Sequence, residues 1–553
     1  MSIPRLRSVA RLSIATWTVA ALVVGPVRAT AQAQDAAPPP ARAAANDAAP
    51  RAEGAAPAPA QEPKRILYVP ESFKVELREE LKREILEQAK REGWAAPGVV
   101  PSWLQRLHVN GDVRVRWERD LFERGSSAGE PAFIDFAAIN SGKPLDVNFV
   151  DLSTEKYLNA DQDRNRARLR ARLGVDADVA KGFTAGVRLA TGESSSPVSE
   201  NQTLGGSPGN FSKYQVWLDR AFVQYETPGL MLRFGRFENP FFSIGKDLVW
   251  HDDLNFDGAV VRGSGPIGGG LTPFVTVGAF PVYSSTFAFP AEQPTKFKSF
   301  DKWLYAGQVG SDWKATNWLT VKAGAAFYYF DELQGKASSP CDTNLSYVSC
   351  DTDERRPAFA QKGNTYMPLR TPSDQALLAF AANPATPEYQ FFGLAARFRE
   401  ISATARVEAK LSPRLTTTLS GEWVRNLGFS QKQIDAVAVN NLGTCPVDQA
   451  HCAFVGGDTG YLGRVSFGSG SQLRQWDWDV SLAYRHLESD AVVDAFTDSD
   501  FGLGGTNLKG YIVEGGLGLA DGIWSSVRWM SANEIAGSPY RVDVLQVDLL
   551  ARF

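Results

Sequence analysis

Residues 163–179 read DRNRARLRARLGVDADV, and this stretch decides which fold classes remain open. Every second side chain from Ala167 to Val179 is small or aliphatic. The intervening positions are mostly charged and begin with Arg164, Arg166, Arg168, Arg170 and Arg172. Successive side chains of a strand point to opposite faces, so this alternation predicts a β-strand. A helix would spread the arginines around its circumference and leave no continuous apolar stripe.

The same strand suits a membrane with lipid on one side and water on the other. An arginine on the lipid face of a barrel costs about 2–4 kcal/mol near the bilayer midplane. Several on that face would consume the stability of a typical domain. In a membrane barrel the arginines must therefore face the interior. An amphipathic strand of a soluble β-sandwich shows the same alternation, so the choice depends on the rest of the chain.

The N-terminus predicts export. Arg5, Arg7 and Arg11 precede an apolar run over residues 12–24 and small residues that end at Ala31 or Ala33. This pattern is typical of a Sec-type signal peptide, which we place at residues 1–33. The apolar run is shorter than the ~20 residues that a membrane helix needs. No other segment predicts a spanning helix, so the mature chain is periplasmic, secreted or an outer-membrane barrel.

Two further segments precede the alternating region. Residues 34–63 are rich in Ala and Pro, which predicts a disordered linker. In residues 64–94, apolar residues recur every four positions and predict an amphipathic periplasmic helix. They are Phe73, Leu77, Leu81, Ile85 and Ala89. A short coiled coil between subunits is the alternative for this segment.

Residues 105–553 repeat the alternation many times. Short turns are predicted at 181–182, 228–229, 315–317, 412–413, 468–472 and 521–522, and long loops at 119–162, 193–215, 237–256, 281–302, 331–388, 427–459 and 487–508. Short turns at one end and long loops at the other are typical of outer-membrane barrels. We predict an all-β, transmembrane antiparallel barrel of about 16 strands with a short N-terminal periplasmic helix. Residues 389–411 change phase near Ile401 and predict either one bulged strand or two.

Four stretches resemble the bacterial putative-porin family of outer-membrane channels. They are RARLR at 166–170, FGRFENPF at 234–241, WDVSLAYR at 478–485 and DAFTDSDFG at 494–502. The resemblance covers residues 107–553 and implies a passive channel, without implying a substrate. The terminal Phe553 closes an alternating strand and resembles the signal by which the barrel-assembly machinery recognises its clients. We therefore expect a bacterial outer-membrane porin in contact with outer-membrane lipid, assembled as a homotrimer, with its N-terminal segment in the periplasm.

The arginines predict the chemistry of the interior. We predict that the pore is lined by Arg114, Arg116, Arg164, Arg166, Arg168, Arg170, Arg172 and Arg188. Like charges two residues apart on a strand lie about 7 Å from one another, inside a Debye length of about 8 Å. A net basic strip would favour small hydrophilic solutes that are anionic. The alternative is that Asp112, Glu118, Asp176 and Asp178 neutralise this wall through salt bridges.

Two loops carry further predictions. The segment 239–257 is predicted to fold inward as a constriction loop whose carboxylates are Asp252, Asp253 and Asp257; a plain extracellular loop is the alternative. The exported chain has 4 Cys, and the two local pairs predict disulfides. The predicted pairs are Cys341 with Cys350 and Cys445 with Cys452.

Other classes of function are disfavoured. The formal charge of −4 argues against a nucleic-acid binder. Neither cysteine pair has zinc-ligand spacing, and Gly263–Gly268 precedes a strand instead of the helix that a dinucleotide site needs. The acidic residues Asp490, Asp494, Asp498 and Asp500 lack calcium-loop spacing and predict a solvated loop. We predict no cofactor, metal or catalytic residue. An outer-membrane hydrolase and a structural envelope anchor without conductance are the alternatives.

Overall fold

The computed structural model describes Glu80, Arg83 and residues 104–123, 133–160, 162–192, 196–206, 209–285, 301–444, 452–472 and 474–553. The chain divides into two units, Met1–Glu84 and Ile85–Phe553. Of the first unit only Glu80 and Arg83 are described, and their side chains form an ion pair at 4.0 Å. The predicted signal peptide, the linker and the rest of the 64–94 helix lie outside the described residues.

The second unit contains one closed antiparallel sheet. Its strands number 17, of which Gln202–Thr203 is a two-residue addition to the edge of one long strand, leaving 16. The long strands are β1 Leu107–Phe122, β2 Arg164–Ala180, β3 Phe183–Thr191, β4 Val216–Thr227, β5 Leu230–Glu238, β6 Asn255–Ser264, β7 Leu271–Ser284, β8 Asp301–Lys314, β9 Leu319–Asp331, β10 Arg399–Ser412, β11 Leu415–Asn426, β12 Thr459–Gly468, β13 Trp478–Leu487, β14 Leu508–Ala520, β15 Ile523–Glu534 and β16 Arg541–Arg552.

Each strand pairs with its neighbours in sequence, and β1 also pairs with β16 to close the ring. At the closure the backbone of Gly111 exchanges hydrogen bonds of 3.0 and 3.1 Å with that of Phe553. Closure leaves no unpaired sheet edge, which is the condition for a sheet to cross a bilayer. The prediction of an all-β antiparallel barrel of about 16 strands is confirmed.

The alternation in β1 has the sense that a membrane barrel requires. Val109, Val113 and Val115 are 59%, 38% and 47% exposed on the outside, whereas Arg116 and Asp120 are 1% and 0% exposed on the inside. A soluble sandwich would bury the apolar face, because the hydrophobic effect drives apolar surface out of water. The outer face of this barrel is therefore apolar and its interior is charged.

The connections alternate in length, as predicted. Lys181–Gly182, Pro228–Gly229 and Asp521–Gly522 are two-residue turns at one end, and each glycine has a positive φ that suits a tight turn. At the other end β9 and β10 are separated by residues 332–398. The ambiguous segment 389–411 contains three strands, of which the last belongs to the barrel. Tyr389–Gln390 pairs with Leu145–Asp146. Phe392–Leu394 pairs with Tyr366–Pro368 inside that long connection, and β10 begins at Arg399, where the phase changes.

Helices among the described parts of the second unit are short and, apart from one turn before β1, lie in the long connections. They are α1 Phe136–Asn140, α2 Asp374–Ala382 and α3 Gln431–Asp435, with 3-10 turns at Leu104–Arg106, Leu152–Thr154, Asp353–Arg355, Asp494–Phe496 and Phe501–Leu503. Within the described ranges, no helix combines the length and the apolar character needed to span a bilayer.

The apolar core lies inside the barrel. We call residues 239–254 the inner loop and residues 488–507 the cap loop. Trp250 of the inner loop packs against Tyr328 of β9 at 5.1 Å and against Phe496 of the cap loop at 6.1 Å between ring centroids. Leu248 of the inner loop is completely buried. Both loops are therefore part of the folded interior, and they leave only part of the lumen open.

Candidate functional site

The inner loop crosses the lumen, since it contacts strands on widely separated parts of the wall. Gln308 of β8 accepts a hydrogen bond from the backbone N–H of Phe242 at 2.6 Å, and Glu422 of β11 accepts one from Leu248 at 2.5 Å. Lys246 forms an ion pair with Glu514 of β14. Only a segment lying within the ring can reach all of these side chains. The inward fold predicted for this segment agrees with these contacts, and the plain extracellular loop does not.

Asp253 attaches the other end of the inner loop to the arginine strand. Its carboxylate lies 3.1 Å from Arg170 and 3.7 Å from Arg172. Burial opposes ionisation of Asp253, but the guanidinium of Arg170 and its neighbours outweigh burial and hold the pKa of Asp253 well below its usual range. We expected carboxylates of this loop to face a basic wall, and Asp253 does so by pairing directly with the arginines.

Within the described residues, the other two predicted constriction residues form no ion pair with the arginine strand. Asp252 is exposed and accepts a hydrogen bond from the backbone of Lys246 within the loop itself. Asp257 is not in the loop, because β6 begins at Asn255. It shares the outer strand face of Val261, which is 45% exposed, and its carboxylate pairs with Arg236 at 2.8 Å. Strand pairing places Arg236 opposite Asp257, so the placement of Asp257 in the constriction is corrected.

The register between β1 and β2 explains the arrangement of the ladder. Asp112 lies opposite Arg172, and Glu118 lies opposite Arg166, so the ends of the ladder are charge-balanced. In the middle Arg114 lies opposite Arg170, and Arg116 opposite Arg168. Like charges directly opposite one another destabilise a sheet. The four central arginines therefore have no carboxylate directly opposite them. Their partners lie diagonally on β1, as Asp112 does for Arg170 and Glu118 for Arg168, or outside this pair of strands.

The partners from outside this pair of strands come from the loops and from β16. Arg170 pairs with Asp253 of the inner loop at 3.1 Å. Arg116 pairs with Asp548 of β16 at 2.7 Å and with Asp500 of the cap loop at 3.0 Å. Arg114 donates to the amide oxygen of Asn201 at 2.6 Å. Each inward-folded loop thus supplies an oxygen acceptor where the strands alone would place arginine against arginine.

The predicted pore-lining arginines consequently fall into two groups. Arg116 and Arg170 have side chains that are 1% and 8% exposed, so they lie under the loops and present no guanidinium to water. Six others keep partial exposure on the lumenal face. These are Arg114, Arg164, Arg166, Arg168, Arg172 and Arg188. Arg188 pairs with Asp219 and, at 2.9 Å, with Glu200.

Neutralisation of the wall is partial. Asp112 bonds Arg170 and Arg172 at 2.9 and 2.6 Å, and Glu118 bonds Arg166 at 2.5 Å, as the salt-bridge alternative expects. Asp176 and Asp178 do not take part. They accept from Asn110 at 3.0 Å and contact His108 at 3.2 Å, near the short-turn end of the barrel.

The cap loop corrects the prediction of a solvated acidic loop. Asp490, Asp494 and Asp498 are 0%, 1% and 7% exposed. Asp490 accepts from Thr365 at 2.6 Å, and Asp498 pairs with Arg485 at 3.4 Å. Asp500 bonds Arg116 and Arg528, each at 3.0 Å. The carboxylates have separate partners, and the described residues contain no group of three or more His, Cys, Asp or Glu that is arranged to hold a metal ion.

Above the exposed arginines lies a cavity of about 390 Å³. We call it the upper cavity. Its wall combines Arg164, Arg166 and Arg168 of β2 with Lys362 of the 332–398 connection. The wall also contains acidic, amide and hydroxyl side chains, and apolar ones that include Phe122, Phe133, Leu158, Leu503 and Tyr540. The arginine strand was recognised in the sequence, but Lys362 and Tyr540 come from segments where no sequence pattern pointed to the site.

One of the two predicted disulfides lies in the described residues. Cys341 and Cys350 form a disulfide with a Cα–Cα distance of 5.9 Å in the 332–398 connection, as predicted. Cys445 lies outside the described residues, so the second predicted pair stays a prediction. None of the described cysteines is free.

A closed antiparallel barrel with an apolar exterior, a charged interior and a loop across its lumen defines a channel-type transmembrane β-barrel. The family described as Putative porin matches residues 23–553, and the chain belongs to that family of outer-membrane channels. The family resemblance drawn from the sequence is thereby confirmed.

Solved structures of bacterial outer-membrane proteins are similar to the chain. They include OprB of Pseudomonas putida, at 12% identity over 81% of this chain and 95% of that chain with a TM-score of 0.41. The outer-membrane channel DcaP of Acinetobacter baumannii matches at 10% identity over 81% and 98%, with a TM-score of 0.36. A loop-deletion mutant of OmpT of Vibrio cholerae matches at 8% identity over 81% and 100%, with a TM-score of 0.36. The search of curated proteins returns no significant match.

Proposed function

We propose that the protein is a passive diffusion channel for small hydrophilic solutes with a weak preference for anions. The order of charges at the exposed end of the ladder carries this proposal. The side chains of Arg164, Arg166 and Arg168 are 38%, 25% and 17% exposed. Those of their partners Glu118 and Asp120 are 2% and 0% exposed. The cations therefore face the lumen, and the carboxylates lie behind them.

This order decides the sign of the potential that a solute meets. Coulomb interactions weaken with distance, so a solute in the lumen interacts more strongly with the nearer guanidinium groups than with the carboxylates behind them. The local potential is positive and concentrates anions. The preference is weak, because each of these arginines keeps an acidic partner: Arg166 with Glu118 at 2.5 Å, Arg164 with Asp120 at 3.6 Å and Arg168 with Glu118 at 3.5 Å.

The same proposal includes the export, membrane insertion and oligomeric state of the chain. Residues 1–33 direct export, residues 34–63 form a linker, and the 64–94 segment lies in the periplasm. The barrel-assembly machinery recognises the strand that ends in Phe553, and the mature channel is a homotrimer. The apolar outer face supports contact with lipid, and the pairing of Phe553 with Gly111 supports a role for this terminus in closing the barrel.

A planar lipid bilayer in a potassium chloride gradient tests the proposal. We expect steady ionic current with a reversal potential displaced toward the chloride equilibrium potential, more strongly at low salt because screening is weaker. The double variant Arg164→Gln, Arg166→Gln should move the reversal potential toward potassium. Arg119 lies on the outer face of the same strand pair, opposite Asn165, and Arg119→Gln is the matched control.

The outcomes separate the proposal from its alternatives. Absence of current from inserted protein would refute the channel and favour one of the two alternatives, a structural anchor or a barrel hydrolase. Cation selectivity, or a double variant indistinguishable from Arg119→Gln at both low and high salt, would refute the anion preference while leaving the channel.

A further inference from the structure

The upper cavity has the size and the wall chemistry of a small-molecule site. Its volume of about 390 Å³ falls within the ~300–1,000 Å³ that such sites usually occupy. Sites of this kind combine an apolar lining with a few convergent polar groups. Here the wall contains cations from two different segments, three carboxylates, uncharged polar side chains, and both aromatic and aliphatic side chains.

Arg168 has unused hydrogen-bonding capacity. Its only ion pair is a 3.5 Å contact with Glu118, and none of its N–H groups donates to an acceptor among the described residues. Its Nε is buried and has no partner. A guanidinium carries five N–H donors, and a buried donor without an acceptor is costly. Arg166 differs, because it donates to Glu118 and Asp120 at 2.5 and 2.9 Å.

Lys362, which comes from a different segment, also has spare capacity. Its Nζ lies 4.2 Å from the centroid of the Tyr540 ring. No carboxylate among the described residues forms an ion pair with it. Burial lowers the pKa of Lys362 to about 8, with Glu534 acting in the opposite direction. The amine thus remains mostly protonated at neutral pH, and burial makes an added anion more favourable there.

The carboxylates in the wall are already occupied. Glu118 accepts from Arg166 at 2.5 Å and from Gln546 at 2.9 Å. Asp500 pairs with Arg116 and Arg528, which are outside the cavity wall. Asp135 accepts from the backbone N–H of Ala138 at the start of α1, at 2.9 Å. The free capacity of the cavity is therefore cationic.

The apolar part of the wall is a fixed aromatic surface. Tyr540 makes edge-to-face contacts with Phe122 at 6.0 Å and with Phe133 at 5.4 Å between centroids. Its hydroxyl donates to the backbone oxygen of Gly502 at 2.9 Å. These contacts fix the ring before any ligand arrives, which reduces the entropy lost on binding.

We propose that the upper cavity is a binding site for a small organic carboxylate with an aromatic or branched aliphatic body. Its carboxylate is held by Arg168 and Lys362, and its apolar body packs against the Phe122, Phe133 and Tyr540 surface. The inference rests on the proposed channel function and adds a saturable step to it.

Current block in single channels tests the site. Benzoate added on the long-loop side should interrupt the current in a saturable manner. Acetate carries the same charge without the ring, and benzyl alcohol carries the ring without the charge, so both should block at least about tenfold more weakly. The variants Arg168→Gln and Lys362→Gln should each raise the half-blocking benzoate concentration about tenfold. Arg168→Lys should restore part of the block.

Arg262 provides the matched control. It belongs to β6, lies on the inner strand face beside the Phe274 ring at 5.1 Å, and is not in the wall of the upper cavity. Arg262→Gln should leave the half-blocking benzoate concentration within about twofold of wild type. In a channel that still conducts, equal block by acetate and benzoate would refute the site. Equal loss of benzoate block in Arg168→Gln and Arg262→Gln would also refute it. Absence of conductance would refute the proposed function instead.

Discussion

At the scale of single residues, the arginines of the ladder differ according to what lies opposite them. Their alternation is visible in the sequence, but their partners depend on the register between β1 and β2 and on segments far away along the chain. Arg116 and its partner Asp500 are separated by 384 residues. No local pattern encodes such a contact. The exposed and the buried arginines therefore cannot be told apart from the sequence.

This difference predicts unequal costs for two alanine substitutions. Arg170→Ala removes the main partner of Asp253 and one of the two partners of Asp112, whose side chains are 8% and 10% exposed. Breaking such a buried pair should lower the free energy of unfolding by about 3 kcal/mol. Arg168→Ala removes one partly exposed contact and should cost less than about 1 kcal/mol. Urea unfolding of the barrel in detergent, followed by tryptophan fluorescence, measures both. Equal losses would contradict the separate roles of the two arginines.

At the scale of elements, the strands and the inward fold of the inner loop were predictable, and the burial of the cap loop was not. A strand between lipid and water must alternate, so β2 and β13 are visible in the sequence. The cap loop is polar in sequence, yet Asp490 and Asp494 are 0% and 1% exposed. Inside the barrel, the hydroxyls of Thr365 and Tyr366 donate hydrogen bonds to their carboxylates. The position of Asp257 was also not predictable, because the residue at which the strand begins decides whether a side chain belongs to the loop or to one face of the sheet.

The cap loop should respond to pH. Burial raises the pKa of Asp490 to about 6 and that of Asp494 to about 7, from an ordinary value of 3.8. Between about pH 4 and pH 7 the packed loop binds protons that the released loop gives up, so its stability falls as pH rises through this window. We expect amide hydrogen exchange in residues 488–507 to increase from pH 5 to pH 8, after correction for the intrinsic rate.

The variant Asp494→Asn provides the comparison for this experiment. The amide stays neutral, so the dependence on pH should be reduced to the part due to Asp490. An identical pH profile in wild type and variant would show that ionisation of Asp494 does not govern the loop.

At the scale of the whole molecule, the ring depends on the pairing of its first and last strands. β1 pairs with β16 from Asp112 to Phe122, and the backbone of Phe553 adds two hydrogen bonds to Gly111. Removing Phe553 should reduce the amount of barrel that reaches the outer membrane without changing the conductance of the molecules that insert. Quantitative surface labelling and single-channel recording measure the two effects. Undiminished surface abundance would contradict the proposed role of this residue, and a Leu549→Ala variant controls for loss of apolar surface from the same strand.

The inner loop also makes the ring stiff. An empty cylinder of strands can flatten into an ellipse when the surrounding bilayer presses on it, because such bending changes the angles between neighbouring strands and breaks none of their pairing. Residues 242–253 connect β8, β11, β14 and β2 across the lumen through hydrogen bonds and ion pairs. Flattening would pull at least one of these contacts apart. The cross-section open to a solute is therefore held constant against lateral pressure by the same segment that narrows it.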